Sequence, residues 1–162
     1  MRAPGGLFVL PLALTLLMTG ACGQDAQRSQ SSDVGGDSAP PTLVDIMRGL
    51  DADMAAVAHG LWTADVPAIA AAARKVADHP KVTPETAAAI QSALGAEFGD
   101  FAAYDHQVHD AATRLSEIAQ DGEGQLDVLL AGYQGIQEGC VACHTQFRAR
   151  VSAALGSGAD GR

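Results

Sequence analysis

Aromatic side chains are scarce in this chain of 162 residues, which holds one tryptophan, two tyrosines and four phenylalanines. Runs of β-branched residues are also missing, while alanine is abundant. Because strands favour β-branched and aromatic residues, these two absences argue against a β-sheet protein. A core of small aliphatic side chains with so few rings would be filled well by a large flat apolar cofactor.

Positively charged residues are also scarce in this chain. The chain has 10 Lys and Arg against 19 Asp and Glu, a formal net charge of −9 at pH 7. Such a surface repels nucleic acid and anionic phospholipid, so neither is an expected partner. Basic protein partners remain compatible with this charge.

Long apolar runs are confined to the N-terminus, where "LFVLPLALTLLM" follows Arg2. The run is too short for a membrane span and ends in small residues. We therefore expect residues 1–21 to be a lipoprotein signal peptide and Cys22 to be the lipidated first residue. Thr19 departs from the usual leucine of such signals, so ordinary cleavage at small residues stays an alternative. Gly23 after the cysteine favours the outer membrane of a Gram-negative bacterium, with the protein facing the periplasm.

Large apolar residues are almost absent from residues 22–42, which are rich in Ser, Gly, Gln, Asp and Pro. This composition cannot bury a core and predicts a flexible tether of about 25 Å. Loss of residues 1–21 removes Arg2 and lowers the net charge from −9 to −10. Membrane attachment would then come from the lipid anchor alone.

Four segments carry apolar residues at three- and four-residue steps, which predicts helices. We expect Thr42 to cap the first helix, Asp65 the second and Thr83 the third, with Thr86 as an alternative cap. The expected segments run over about 43–63, from Asp65 to His79, over about 84–119 and over about 125–154.

The third segment contains Gly95 and Gly99, so it could form one long helix or two helices with a kink. Four helices with short connections predict an all-α fold, an antiparallel four-helix bundle over residues 43–156. The last residues, 157–162, are expected to form a disordered tail.

With Cys22 assigned to the signal, the other two cysteines stand in "CVACH", as Cys140 and Cys143 followed by His144. A dithiol oxidoreductase places its C-x-x-C at a helix N-terminus after a strand, and no strand is expected here. A structural zinc site needs a fourth ligand that this stretch lacks. Two free buried thiols suit an exported protein poorly.

C-x-x-C-H is also the signature of covalent haem attachment. At about 100° per residue, Cys140, Cys143 and His144 lie within an arc of about 100° on one helix face. Both thiols can form thioethers with one haem, and the adjacent imidazole can bind the iron as proximal ligand. The sequence therefore predicts one covalently attached haem c per chain.

The block "CVACHTQFR" in the last predicted helix resembles the class II cytochromes c, cytochrome c-prime and its low-spin relatives. A looser similarity covers "IMRGLDADM" in the first helix. The resemblance spans about residues 43–154 and implies a four-helix bundle. It implies that a first-helix side chain covers the distal side of the haem, with Met47 at the ligating position. It also implies that Arg148 lies beside the haem and the proximal histidine.

Methionine at helical spacing is often only a gap-filler in a core. Met54 lies on the face of Met47 but about 10 Å along the axis, so one of the two at most could bind iron. The remaining histidines are expected at the surface, although His106 and His109 share one face and could bind a stray metal.

Two functions remain open from these residues. With His144 and Met47 as ligands, the protein would be a one-electron carrier and no enzyme, docking to periplasmic or membrane redox proteins. If Met47 only packs, the five-coordinate iron would bind NO or CO. A peroxidase is disfavoured because only Asp51 stands near Met47 as an acid–base group. A homodimer is compatible with the alanine-rich helix faces.

Overall fold

A computed structural model describes residues 39–122 and 125–156, and every regular element in these two stretches is helical. The absence of strands there confirms the all-α prediction. The predicted signal peptide, Cys22, most of the tether and the tail lie outside the described residues. The helices are α1 (Leu43–Thr63), α2 (Val66–Ala77), α3 (Pro84–Leu94), α4 (Phe98–Gln120) and α5 (Leu126–Gly156).

The helix starts follow the capping residues of the sequence. Thr42 and Asp45 form a capping box, in which each side chain accepts a hydrogen bond of 3.2 Å from the backbone N–H of the other. Asp65 caps α2 and Thr83 caps α3 through their side-chain oxygens. The predicted caps are therefore confirmed, because each satisfies a backbone donor that the first turn leaves free.

The predicted third segment is divided into two helices. Gly95 ends α3 with a φ of +55°, a backbone conformation that glycine adopts without a Cβ clash. A short 3₁₀ turn, Gly95–Glu97, leads into α4, and Gly99 lies inside α4. Of the two alternatives that the sequence left open, the structure has the two-helix form.

Helix α4 packs against both α2 and α5, α1 packs against α2, and α3 packs against α5. A smaller contact joins α1 to α5. Between α2 and α4, the fully buried Ser116 hydroxyl donates a 3.0 Å hydrogen bond to the carbonyl of Ala70. This hydrogen bond joins α2 to α4 within a contact made largely by aliphatic side chains.

Buried apolar residues form two separate clusters. The main cluster joins α1, α2, α4 and α5 through small and branched aliphatic side chains such as Val57, Ile69, Leu115 and Ile136. The second, here called the Phe147 cluster, consists of Ile90, Leu94, Phe147 and Val151. Phe98, Phe101 and Tyr104 pack against the Phe147 cluster, so four of the chain's seven aromatic residues gather there.

Of the helices described, none combines the length and the apolar character that crossing a membrane requires.

Candidate cofactor site

The C-x-x-C-H residues lie in the interior of α5. Cys140 comes fourteen residues after Leu126, the first residue of that helix. Both thiols are free and half-buried, whereas the His144 imidazole is exposed. Within the two described stretches, no group forms a hydrogen bond or ion pair with the His144 imidazole. The imidazole therefore keeps its nitrogen lone pair free for a ligand.

The two thiols meet different apolar surroundings. Cys140 packs against the main cluster, and Cys143 packs against the Phe147 cluster. The two cysteines therefore lie where the two clusters meet along α5, a place called the seam below. Leu43, in the first turn of α1, also packs against the Phe147 cluster. The start of α1 and the cysteine segment of α5 therefore share one apolar neighbourhood.

The surroundings raise the pKa of both thiols. Burial is the main cause at Cys140. At Cys143, burial is again the largest cause, and the negative charge of Asp105 on α4 raises the pKa further. Reactive dithiols need the opposite shift, because the thiolate is the nucleophile. The interior position in α5 and the raised pKa values both argue against thiol redox catalysis.

A zinc site at these cysteines is also disfavoured. Among residues 39–122 and 125–156, three or more potential ligands converge only at His79, Asp105 and His109. Cys140, Cys143 and His144 lie within five residues of one helix and belong to no such group of ligands in the described stretches. This leaves the haem interpretation as the one that uses all three residues.

The donor set fits a covalently held haem. Two thiols on one helix face are in reach of apolar surface on both sides, and an unpaired imidazole follows directly. Covalent attachment of haem needs two thiols that can form thioethers, an apolar flank and an axial nitrogen, and this segment offers groups of each kind. A cleft of about 390 Å³ opens elsewhere, between α1 and the end of α2, and none of the candidate site residues lines it. The candidate site therefore consists of side chains at the seam between the main cluster and the Phe147 cluster.

Met47 lies on α1 with 37% of its surface exposed and belongs to neither apolar cluster. Its neighbour Ile46 is buried instead, and Met54 packs against the main cluster. Met54 thus has a packing role, while Met47 is more than one third exposed. Its assignment as distal ligand stays a prediction.

Arg148 is exposed and forms no ion pair within the described stretches. The arginine of this segment that forms an ion pair is Arg150, which the sequence analysis did not identify. Its guanidinium forms two hydrogen bonds to Glu97, at 2.7 and 2.9 Å, and lies 5.4 Å from the centre of the Phe147 ring. Nothing in the sequence marks this pair, since its residues are 53 positions apart.

The histidines differ from the expectation of four surface residues. His79 is largely buried, with 14% of its side chain exposed, and its ring stacks on that of His109. His106, the expected companion of His109, is exposed and points elsewhere. The end of α2 and the middle of α4 bring His79 and His109 together, a proximity that helical periodicity alone does not reveal.

The chain matches no protein-family model, no curated protein and no solved structure. Its class therefore has to be argued from the site itself.

Proposed function

We propose that the chain is an exported monohaem c-type cytochrome of the class II kind, acting as a one-electron carrier. The observation that carries this proposal is the placement of Cys140 and Cys143 at the seam of two apolar clusters, directly followed by the free His144 imidazole. Attachment would use two thiols whose raised pKa values disfavour a nucleophilic or redox role of their own.

The proposal includes the four-helix bundle that the resemblance implies. Its support is a closed cycle of helix contacts: α1 with α2, α2 with α4, α4 with α5, and α5 with α1. Short connections join α1 to α2 and α4 to α5, and such connections favour antiparallel neighbours. The longer connection from α2 to α4 contains α3, which contributes Ile90 and Leu94 to the Phe147 cluster and packs against α5.

When bound, the haem supplies an iron that changes charge by one electron. His144 would bind that iron on the proximal side, and Met47 would bind it on the distal side. Methionine ligation raises the reduction potential and leaves no open position for a substrate. Arg148, one turn after His144, would place a positive charge beside the imidazole and the haem propionates.

The surface and the N-terminal segment define the proposed partners. A net charge of −9 favours transient docking to basic patches of periplasmic or membrane redox proteins. Lipidation of Cys22 and the tether that follows would hold the domain near such partners at the outer membrane. Nucleic acid is not a partner in this proposal, and a homodimer through alanine-rich helix faces remains compatible with it.

The ligand role of Met47 decides between the two functions. Met47 is exposed, and if it does not bind the iron, the five-coordinate haem would bind NO or CO, which is the second candidate. Visible spectra of the ferric and ferrous haem-loaded chain distinguish the two. A low-spin spectrum with the long-wavelength band of methionine ligation supports the electron carrier.

Variants at the two methionines sharpen this test. Met47→Ala should convert a low-spin iron to a high-spin one that binds CO at once. Met54→Ala is the matched control, because Met54 packs against the main cluster, and it should keep the low-spin spectrum. A high-spin wild-type spectrum with immediate CO binding would overturn the electron-carrier proposal in favour of gas binding.

A further inference from the structure

Three side chains outside the cysteine segment converge at the end of α2. His79 lies two residues after Ala77, the last residue of α2, while Asp105 and His109 lie one turn apart on α4. One Asp105 oxygen lies 3.9 Å from His79 Nε2, and the other lies 3.7 Å from His109 Nε2. The potential ligand atoms all lie within 4.8 Å of one another.

The hydrogen bonds of both imidazoles fix which nitrogen faces the carboxylate. His109 Nδ1 lies 2.5 Å from the carbonyl oxygen of Ala77, and His79 Nδ1 lies 2.9 Å from that of Pro80. Because a carbonyl oxygen can only accept, each Nδ1 must carry a hydrogen and donate. In a neutral ring, each Nε2 then carries the lone pair, and each lies within 4 Å of an Asp105 oxygen.

Two Nε2 lone pairs and a carboxylate therefore lie close together, and a proton or a metal ion between such acceptors stabilises them. The arrangement is also the one seen around metal-binding histidines, in which the second ring nitrogen donates to a backbone carbonyl and orients the ring. A backbone bond of this kind is present for both His79 and His109.

We infer that His79 Nε2, His109 Nε2 and an Asp105 oxygen form a binding site for a divalent transition-metal ion of the zinc class. Imidazole and carboxylate ligands suit such ions. Metal–ligand bonds of about 2.0–2.1 Å in a tetrahedron put ligand atoms roughly 3.3 Å apart. The two imidazole nitrogens lie 3.9 and 3.7 Å from different Asp105 oxygens, and all the ligand atoms lie within 4.8 Å of one another. Metal binding therefore needs a contraction of about 1 Å, shared between the half-exposed Asp105 carboxylate and the two imidazoles.

The metal would join the end of α2 to α4 and leave a fourth position open. This inference does not depend on haem binding, because none of its ligands belongs to the C-x-x-C-H segment. The negative charge of Asp105 also raises the pKa of the Cys143 thiol, so the proposed metal site and the cysteine segment interact electrostatically.

Isothermal titration of the full chain with Zn²⁺ tests the site. We expect one zinc ion to bind at these residues, with affinity lowered at least tenfold in His79→Asn and in Asp105→Asn, as expected when a ligand is lost. His106→Ala is the matched control, since His106 is exposed on the same helix, and it should leave this affinity unchanged. Circular dichroism would verify that each variant keeps its helices.

Two outcomes would overturn the inference. Failure of the wild-type chain to bind zinc would mean that His79, Asp105 and His109 do not form a metal site. Zinc binding that is unaffected by His79→Asn would place the ion at other groups, such as the thiols of Cys140 and Cys143.

Discussion

Gly139 of α5 lies so close to Val108 of α4 that a Cβ at position 139 would stand 2.8 Å from Val108 Cγ2. The approach is made by a buried glycine directly before Cys140. Because Val108 is branched next to the backbone, it cannot swing aside as the end of a long side chain could. Gly139 thus fixes how closely α5 rests on α4 at the level of the cysteine segment.

Gly139→Ala should destabilise the chain, because the steric cost of an added methyl group in a packed contact, about 1–3 kcal/mol, opposes the helix propensity of alanine. Gly135→Ala is the matched control on the same helix, since an added Cβ there meets nothing within 4 Å. It should be neutral or stabilise by up to about 1 kcal/mol. Urea unfolding followed by circular dichroism measures both, and equal free energies of unfolding for the two variants would contradict the close contact.

The ion pair between Glu97 and Arg150 predicts a pH dependence of stability. Hydrogen bonding from Arg150, and to a smaller extent its positive charge, lowers the pKa of Glu97 below its ordinary value of 4.5. A carboxyl group whose pKa is lower in the folded state than in the unfolded state stabilises the folded chain at pH values above its ordinary pKa. This stabilisation is lost as the pH falls through the lowered pKa. Glu97→Gln should therefore reduce the free energy of unfolding at pH 7, and the difference from wild type should vanish in strong acid.

The loss at pH 7 should be small, because the pair is half-exposed. Glu138→Gln removes an exposed glutamate of α5 that has no ion pair in the described stretches, and it serves as the control. A Glu97→Gln effect that persists unchanged at low pH would show that the carboxylate charge is not what stabilises this contact.

The raised pKa values of the thiols predict slow alkylation in a chain made without haem. Iodoacetamide reacts with the thiolate, so rates for Cys140 and Cys143 should still rise above pH 9.0, the ordinary thiol value. Variants that keep one cysteine each separate the two. In the chain that keeps Cys143, Asp105→Asn should move the rate profile to lower pH, whereas the same change should leave Cys140 unaffected. Fast alkylation at neutral pH would instead favour the dithiol interpretation.

Local signals in the sequence predicted the helices well. Thr42, Asp65 and Thr83 cap the helices that they were expected to cap, because capping depends on hydrogen bonds within three residues. The break at Gly95 was only one of two alternatives, since a glycine inside an apolar pattern permits a turn without requiring it. The sequence predicts that the C-x-x-C-H segment lies on the last helix, and the structure has it in α5.

Relations between helices could not be predicted in the same way. The bond from Arg150 to Glu97 and the stacking of His79 on His109 depend on how α2, α4 and α5 pack, not on any spacing within one helix. The expected pairing of His106 with His109 followed from periodicity and missed His79 for this reason. The collection of aromatic residues around Phe147 is likewise visible only after folding.

Trypsin digestion and mass spectrometry of the chain, produced in a bacterium that attaches haem to exported proteins, test the central claim most directly. No Lys or Arg lies between Arg114 and Arg148, so the peptide Leu115–Arg148 contains the whole C-x-x-C-H segment. The haem assignment predicts that this peptide carries the mass of one haem after denaturation, and that replacing both Cys140 and Cys143 with alanine abolishes it. An unmodified peptide whose two thiols can be alkylated or form a disulfide would contradict the account.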